Sequence, residues 1–260
     1  MTETPIDRAH ARMEAAPDDD ALRLAFYERL ADGELFLLLD AEPEGDRISP
    51  RIFDTGEGRF VLAFDREDRL AAFAGGPAPY AALSGRSLAE MIADQGLGIG
   101  LNLGAAPSEM LIPAQAVAWL NATLAARPDE VQEIPAELHP PKGLPEPLFA
   151  ALDTKLATAG GLAKLAYLSG VTWKNGRRGH LLAVVDAVPG AEPALARAVS
   201  EALIFSGLEA GELDVTFLKA SDPAAARMAA VGLRFDLPEP PQATGPEAPG
   251  MDPAKPPRLR

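Results

Sequence analysis

Apolar positions change their period several times along the chain, and each change predicts an element. Leu22, Phe26 and Leu30 recur at i, i+4 and i+8, one face of a helix that Asp18-Asp19-Asp20 can cap and Gly33 can stop. Residues 35–39, Leu-Phe-Leu-Leu-Leu, form an apolar run bounded by Gly33 and Pro43, which predicts a buried strand. A Pro/Gly/Asp-rich turn region over residues 42–50 follows. Residues 51–54 and 59–65 then flank Thr55-Gly56-Glu57-Gly58, a β-hairpin signature, with Phe60, Leu62 and Phe64 on one face of the second strand. Asp65 is positioned to cap a short helix through Leu70 and Phe73 that Gly75-Gly76-Pro77 ends. Ser87-Leu88-Ala89-Glu90 matches a capping box and predicts another helix with Leu88 and Ile92 inward. Residues 98–103 and the triplet Met110-Leu111-Ile112 predict strands, and Pro113 suits the first turn of a helix carrying Val117, Leu120 and Leu124.

Residues 127–147 break this rhythm. They hold Pro128, Pro135, Pro140, Pro141, Pro145 and Pro147 with few large apolar residues, so an extended linker is expected, because proline lacks the backbone donor and fixes φ. Beyond it Leu148, Leu152 and Leu156 form a helical stripe that stops at Gly160-Gly161. Residues 162–172 and 179–188 predict strands around Trp173-Lys174-Asn175-Gly176-Arg177-Arg178, and Asn175-Gly176 predicts a type I′ turn with positive φ at both positions. Leu195, Val199 and Leu203 mark a helix ending near Gly207, residues 213–218 a strand, Asp222-Pro223 a helix start, and residues 231–235 an edge strand. Eight of the 23 residues from Pro238 onward are proline, a composition that cannot bury enough surface to offset its ordering entropy. The expected architecture is α+β: an N-terminal extension (1–17), a mixed α/β domain (18–126), a Pro-rich linker (127–147), a second mixed α/β domain (148–236) and a disordered Pro-rich tail (237–260).

Composition narrows the function classes. At 260 residues, 47% of them hydrophobic, two cores are the default expectation. A formal net charge of −14 repels phosphate backbones and anionic headgroups, so neither nucleic acid nor membrane is expected as a partner. Cysteine is absent, which removes thiolate nucleophiles, disulfides and Cys-ligated metals and suits a reducing cytosol. The first twenty residues hold no apolar stretch resembling a signal peptide, and the longest apolar runs fall far short of the ~20 residues that span a bilayer. A cytoplasmic protein is expected.

The run Gly96-Leu97-Gly98-Ile99-Gly100-Leu101-Asn102-Leu103-Gly104 superficially resembles a nucleotide-binding loop, but the third glycine of a dinucleotide fingerprint would fall on Leu101 or Leu103. Its glycines lower strand propensity and admit close backbone approach by a neighbour or a ligand, which makes Asn102 and Gly104 candidate ligand-binding residues. A tight turn after a packed strand is the competing explanation. Lys174, Arg177 and Arg178 form a basic hairpin tip beside Trp173 in an acidic chain, so Trp173, Arg177 and Arg178 are candidate partner-surface residues, against the alternative of a solvated turn. His10, His139 and His180 share no metal-ligand spacing. Ser84 and Ser87 lack a Gly-x-Ser-x-Gly context and fit turn and cap roles. Asp65, Glu67 and Asp68 ahead of Arg69 fit charge at a helix start. No catalytic residue, metal or cofactor is expected.

Several of these stretches resemble a known family. The strand at residues 34–40, the hairpin Pro50-Arg51-Ile52-Phe53…Gly58-Arg59-Phe60-Val61-Leu62-Ala63-Phe64-Asp65, Glu67-Asp68-Arg69-Leu70-Ala71-Ala72-Phe73, Tyr80…Leu83-Ser84-Gly85 and the strand of residues 98–104 together resemble the SseB N-terminal domain of bacteria. That family typically has Asn-Pro-Gly where this chain has Asn102-Leu103-Gly104. Leu165-Ala166-Tyr167-Leu168 and residues 195–218 resemble the SseB C-terminal domain. The resemblance implies an association with enhanced serine sensitivity and brings no catalytic motif. A type III secretion label, shared through the name of an unrelated translocon protein, can travel with relatives, but no long heptad pattern or long apolar segment here supports it. The expected function is a non-catalytic cytoplasmic binding protein whose partner is an unidentified protein or a small metabolite. A partner-docking adapter and an enzyme working with Asp, Glu, Ser or Arg are the alternatives.

Overall fold

The computed structural model describes residues 3–43, 45, 47–56, 58–126, 134–207 and 213–239, and among them lie eight α-helices and eleven strands in two sheets. The chain opens with α1 (Pro5–Ala15), inside the expected N-terminal extension. Thr4 caps it reciprocally: its hydroxyl accepts from the Asp7 amide while the Asp7 carboxylate accepts from the Thr4 amide. Ile6 and Met13 bury against the first core. α2 (Asp20–Asp32) forms as its stripe predicts, with Asp19 accepting from the Ala21 and Leu22 amides and Phe26 and Leu30 fully buried.

Next come β1 (Glu34–Leu38), β2 (Ile52–Thr55), β3 (Gly58–Phe64), α3 (Glu67–Ala74), β4 (Tyr80–Ser84), α4 (Gly85–Ile92), β5 (Gly98–Leu101), β6 (Met110–Ile112) and α5 (Ala114–Ala125). The sheet order is β4-β1-β3-β5-β6, with β2 on the same edge of β3 as β1, and only β3 and β5 run parallel. Strand alternation splits the core. Leu35, Leu37, Val61, Ala63 and Ile99 face α1, α2, α4 and α5, whereas Leu38, Leu62 and Phe64 face the opposite side, covered by Leu70 of α3. β4 has no clean apolar alternation and so carries no local strand signal. α4 starts earlier than its expected capping box, because Ser84 accepts from the Ser87 amide and is the cap. The glycines of β5 serve the neighbouring strands: a Cβ on Gly98 would lie 2.4 Å from the Ile112 carbonyl oxygen and 2.6 Å from the Phe60 ring.

The second half contains β7 (Pro135–His139), α6 (Glu146–Thr158), β8 (Leu165–Trp173), β9 (Arg178–Val185), α7 (Glu192–Phe205), β10 (Leu213–Leu218), α8 (Pro223–Val231) and β11 (Leu233–Asp236). Its sheet order is β10-β9-β8-β11, with β7 sharing the β11 edge of β8 and β10 parallel to β9. α6 and α7 bury Leu148, Leu152, Leu195 and Val199 on one face, and α8 sets Met228 against Val171, Trp173, Leu181 and Ala183 on the other.

Three expectations need correction here. The expected linker is not wholly extended chain: Pro135–His139 pairs with β8, a placement proline tolerates because β7 is an edge strand and Pro135 begins it. Residues 127–133 of that linker lie outside the described residues. The type I′ turn at Asn175-Gly176 does not form, since only Gly176 has positive φ (85°) and the Gly176 amide donates to the Trp173 carbonyl, a three-residue connection with glycine in the left-handed position. The start of the expected disordered tail is ordered. The Leu237 amide donates to the Lys164 carbonyl, and the Pro238 carbonyl accepts from the Gly161 amide. Residues 240–260 lie outside the described residues.

The two halves pack together. Phe205 of α7 is buried in the first core and meets Trp119 of α5 edge-on, ring centroids 6.5 Å apart. Lys155 of α6, 4% exposed, reaches Asp32 at 2.6 Å, Glu201 at 3.1 Å and Glu28 at 3.7 Å, while Arg86 of α4 also holds Asp32 and Glu201. This ion cluster joins α2 and α4 to α6 and α7. Among the described residues no helix is long and apolar enough to cross a membrane.

Candidate functional site

Trp173 ends β8, on the same face of the strand as Ser169 and Val171, and so turns toward α8 instead of solvent. It is 5% exposed, which corrects its expected place on the hairpin surface. The Arg177 guanidinium lies 5.1 Å from the centre of its ring and donates to the Asp214 carboxylate at 2.8 Å, while Arg178 points into solvent. Beside Trp173 is a cleft of about 210 Å³ between β7, β10 and α8. Leu138, Leu181, Leu218 and Met228 supply apolar lining; Arg177, Asp214, Thr216 and Arg227 supply polar groups. The volume matches the liquid volume of about seven waters, and it lies below the range of drug-sized pockets, roughly 300–1,000 Å³. The Trp173 indole N–H is buried without a hydrogen-bond partner among the described residues, an omission worth about 1–3 kcal/mol.

A second polar constellation is closed. Asn102, in the left-handed conformation (φ 50°), follows directly on β5 and is fully buried. Its Oδ1 accepts from the Asp65 amide at 3.1 Å, and its Nδ2 donates to Ser108 Oγ at 3.0 Å. Ser108 in turn donates to Asp7, and Arg69, 2% exposed, bridges Asp7 and Asp65. Thr4 donates its hydroxyl to Asp65. Burial raises the Asp7 pKa, but bonds from Arg69, Ser108 and the Thr4 amide outweigh it and hold the carboxyl well below the usual carboxylate range. Gly104 sits in the following turn at φ 62°, its amide donating to Glu109.

Residues 8–119 match the SseB protein N-terminal domain family. The chain carries an SseB N-terminal domain. No curated protein matches the chain, and no solved structure does. The SseB domain match begins inside α1, the helix that Asp7 fastens through Arg69, so α1 belongs with the sheet it covers.

Within the SseB domain the two ligand candidates hold a turn together. Asn102 is enclosed and both ends of its amide are engaged by the protein, so it has no surface to offer a ligand. Asn102→Ala is expected to cost about 2–3 kcal/mol in urea unfolding, chiefly from the buried Asp65 amide left without an acceptor. Asn102→Gly should recover roughly 1 kcal/mol of that, because glycine accepts the left-handed backbone without a Cβ penalty. A glycine variant less stable than the alanine variant would refute this account.

The remaining candidates separate in space. His10 packs edge-on to Phe26, His139 covers Gly170, and His180 meets the Lys142 carbonyl. No group of three or more His, Asp, Glu or Cys placed to hold a metal occurs among the described residues. Asp65 faces Arg69 and Asp68 pairs with Arg66, so these carboxylates do not converge on one point. Leu138, Asp214, Arg227 and Met228 of the cleft carry no local signature in the sequence; sheet order alone brings them to Trp173.

Proposed function

We propose that this protein is a non-catalytic, cytoplasmic binding protein whose small ligand is held in the cleft beside Trp173. The observation that carries this reading is a partly apolar cleft against the Trp173 ring whose polar groups are the Arg177–Asp214 pair, Thr216 and Arg227. Such a mixture, apolar walls with a few convergent polar groups, is what small-molecule sites share. The second half is read as an SseB C-terminal-like domain, and the link to serine tolerance follows from the family resemblance.

The test is a thermal-shift screen of the full chain against amino acids, serine included, nucleotides and common metabolites. A ligand present at 100 times its dissociation constant should stabilise the fold by about 2.7 kcal/mol. A dose-dependent shift that Trp173→Phe abolishes supports the reading; a flat panel counts against it. A partner-docking adapter is the second reading, favoured by Ile52 and Phe53, 46% and 41% exposed on β2, where Phe53 meets Phe73 edge-on. Cross-linked pull-downs with Phe53→Ser as control test it.

A further inference from the structure

The polar groups of the cleft are unbalanced in a way that selects a ligand. Resting on the reading of the cleft as a binding site, we propose that its ligand is a small apolar carboxylic acid, its carboxylate taken by Arg227 at the rim and its hydrocarbon body laid against Leu138, Leu181 and Met228. Arg177 and Asp214 neutralise one another across 2.8 Å. Arg227 is exposed on α8 and has no ion-pair or hydrogen-bond partner among the described residues, so the described residues lining the cleft carry one more cation than anion in a chain of net charge −14. Arg227, the charged group of the cleft left without a partner among the described residues, can only donate. A ligand must therefore bring acceptor oxygens. An amine would compete with Arg177 for Asp214 and find only repulsion at Arg227.

Size and polarity exclude the other anions. A cleft of about 210 Å³, below the roughly 300–1,000 Å³ of drug-sized pockets, suits a ligand smaller than a nucleotide. A phosphate without a hydrocarbon body would leave the apolar lining uncovered, and its second charge would face a single unpaired guanidinium. A carboxylate presents two oxygens to a planar fork of N–H donors, the geometry guanidinium favours.

The experiment is fluorescence titration of the full chain carrying Trp119→Phe, which leaves Trp173 as the sole tryptophan. The probes are 4-methylpentanoate and 3-phenylpropanoate, each paired with its primary amide, which has the same body without the charge. The acids should change Trp173 emission saturably and bind at least tenfold more tightly than the amides. Arg227→Gln should bring the acids to the level of the amides and leave amide binding unchanged; Arg227 is exposed, so an unaltered melting temperature verifies the fold of the variant. Amides that bind as well as acids, or acids indifferent to Arg227→Gln, would overturn the acid assignment while leaving the cleft a binding site. Silence from acids and amides alike also overturns the assignment, and together with a flat metabolite panel it removes the binding-site reading as well.

Discussion

Arg69→Ala is expected to destabilise the protein by about 3–5 kcal/mol, the cost of leaving a buried charge without its partner. Arg69 is 2% exposed, and its guanidinium is shared between Asp65, four residues earlier, and Asp7, which lies 62 positions away in α1. Without it the Asp65 carboxylate, 2% exposed, keeps only the Thr4 hydroxyl among the described residues, and α1 loses its anchor to the sheet. Arg69→Lys restores one charge but not the fork, so it should recover only part of the loss. The pH dependence follows from Asp7. Its folded pKa lies below its unfolded value, so its contribution is complete above about pH 4 and is lost as pH falls toward the folded pKa. In Arg69→Ala the largest of the hydrogen bonds that lower this pKa is gone, and the acid-side loss should shrink. Urea unfolding at pH 7 and pH 3.5 measures both effects. A loss under about 1 kcal/mol at pH 7 would mean that the pair barely offsets its own desolvation.

What local pattern could reveal, it did: the stripes of α2, α5, α6 and α7 and the apolar runs of β1 and β3 announce elements that form where expected. Several misses share one cause, namely partners distant in sequence. Asp65 has the composition of a helix cap, yet Arg66 occupies that position and the Asp65 side chain turns inward to Arg69 and Thr4. β4 exists because its backbone pairs with β1 over five residues, a stabilisation with no signature in its own side chains. The cleft shows the same limit. Trp173 and Arg177 stand out as a basic, aromatic hairpin tip, but whether that tip is surface or wall depends on α8, fifty residues on. One signal was legible and easily passed over. Lys155 falls three residues after Leu152 and one before Leu156, inside an apolar stripe, and Glu201 stands between Val199 and Leu203. A charge placed in a core-facing stripe needs an opposite charge from elsewhere.

Those two residues meet at the boundary between the halves, and Lys155→Ala is accordingly expected to cost about 3 kcal/mol, at the lower end for a broken buried pair. The lower end applies because Arg86 still holds Asp32 and Glu201 when Lys155 is gone. Glu28 is the residue left worst off. Among the described residues its Oε1 has no hydrogen bond, and its nearest cations are Lys155 at 3.7 Å and Arg29 at 3.8 Å. Burial already raises the Glu28 pKa, Lys155 opposes that rise most strongly, and Asp32 and Glu201 add to it. Removing Lys155 must therefore raise it further. A carboxyl whose folded pKa exceeds its unfolded value binds its proton more tightly in the native state, so stability increases as pH falls through the folded pKa. The Lys155→Ala deficit should accordingly be larger at pH 7.5 than at pH 5.5. Glu28→Gln, which removes the charge burial penalises, should return part of the deficit at pH 7.5, a non-additivity that a double-mutant cycle reads directly. Equal deficits at both pH values, with strict additivity in the cycle, would mean that Lys155 contributes its alkyl chain to the packing between α2, α6 and α7 and that its charge is idle.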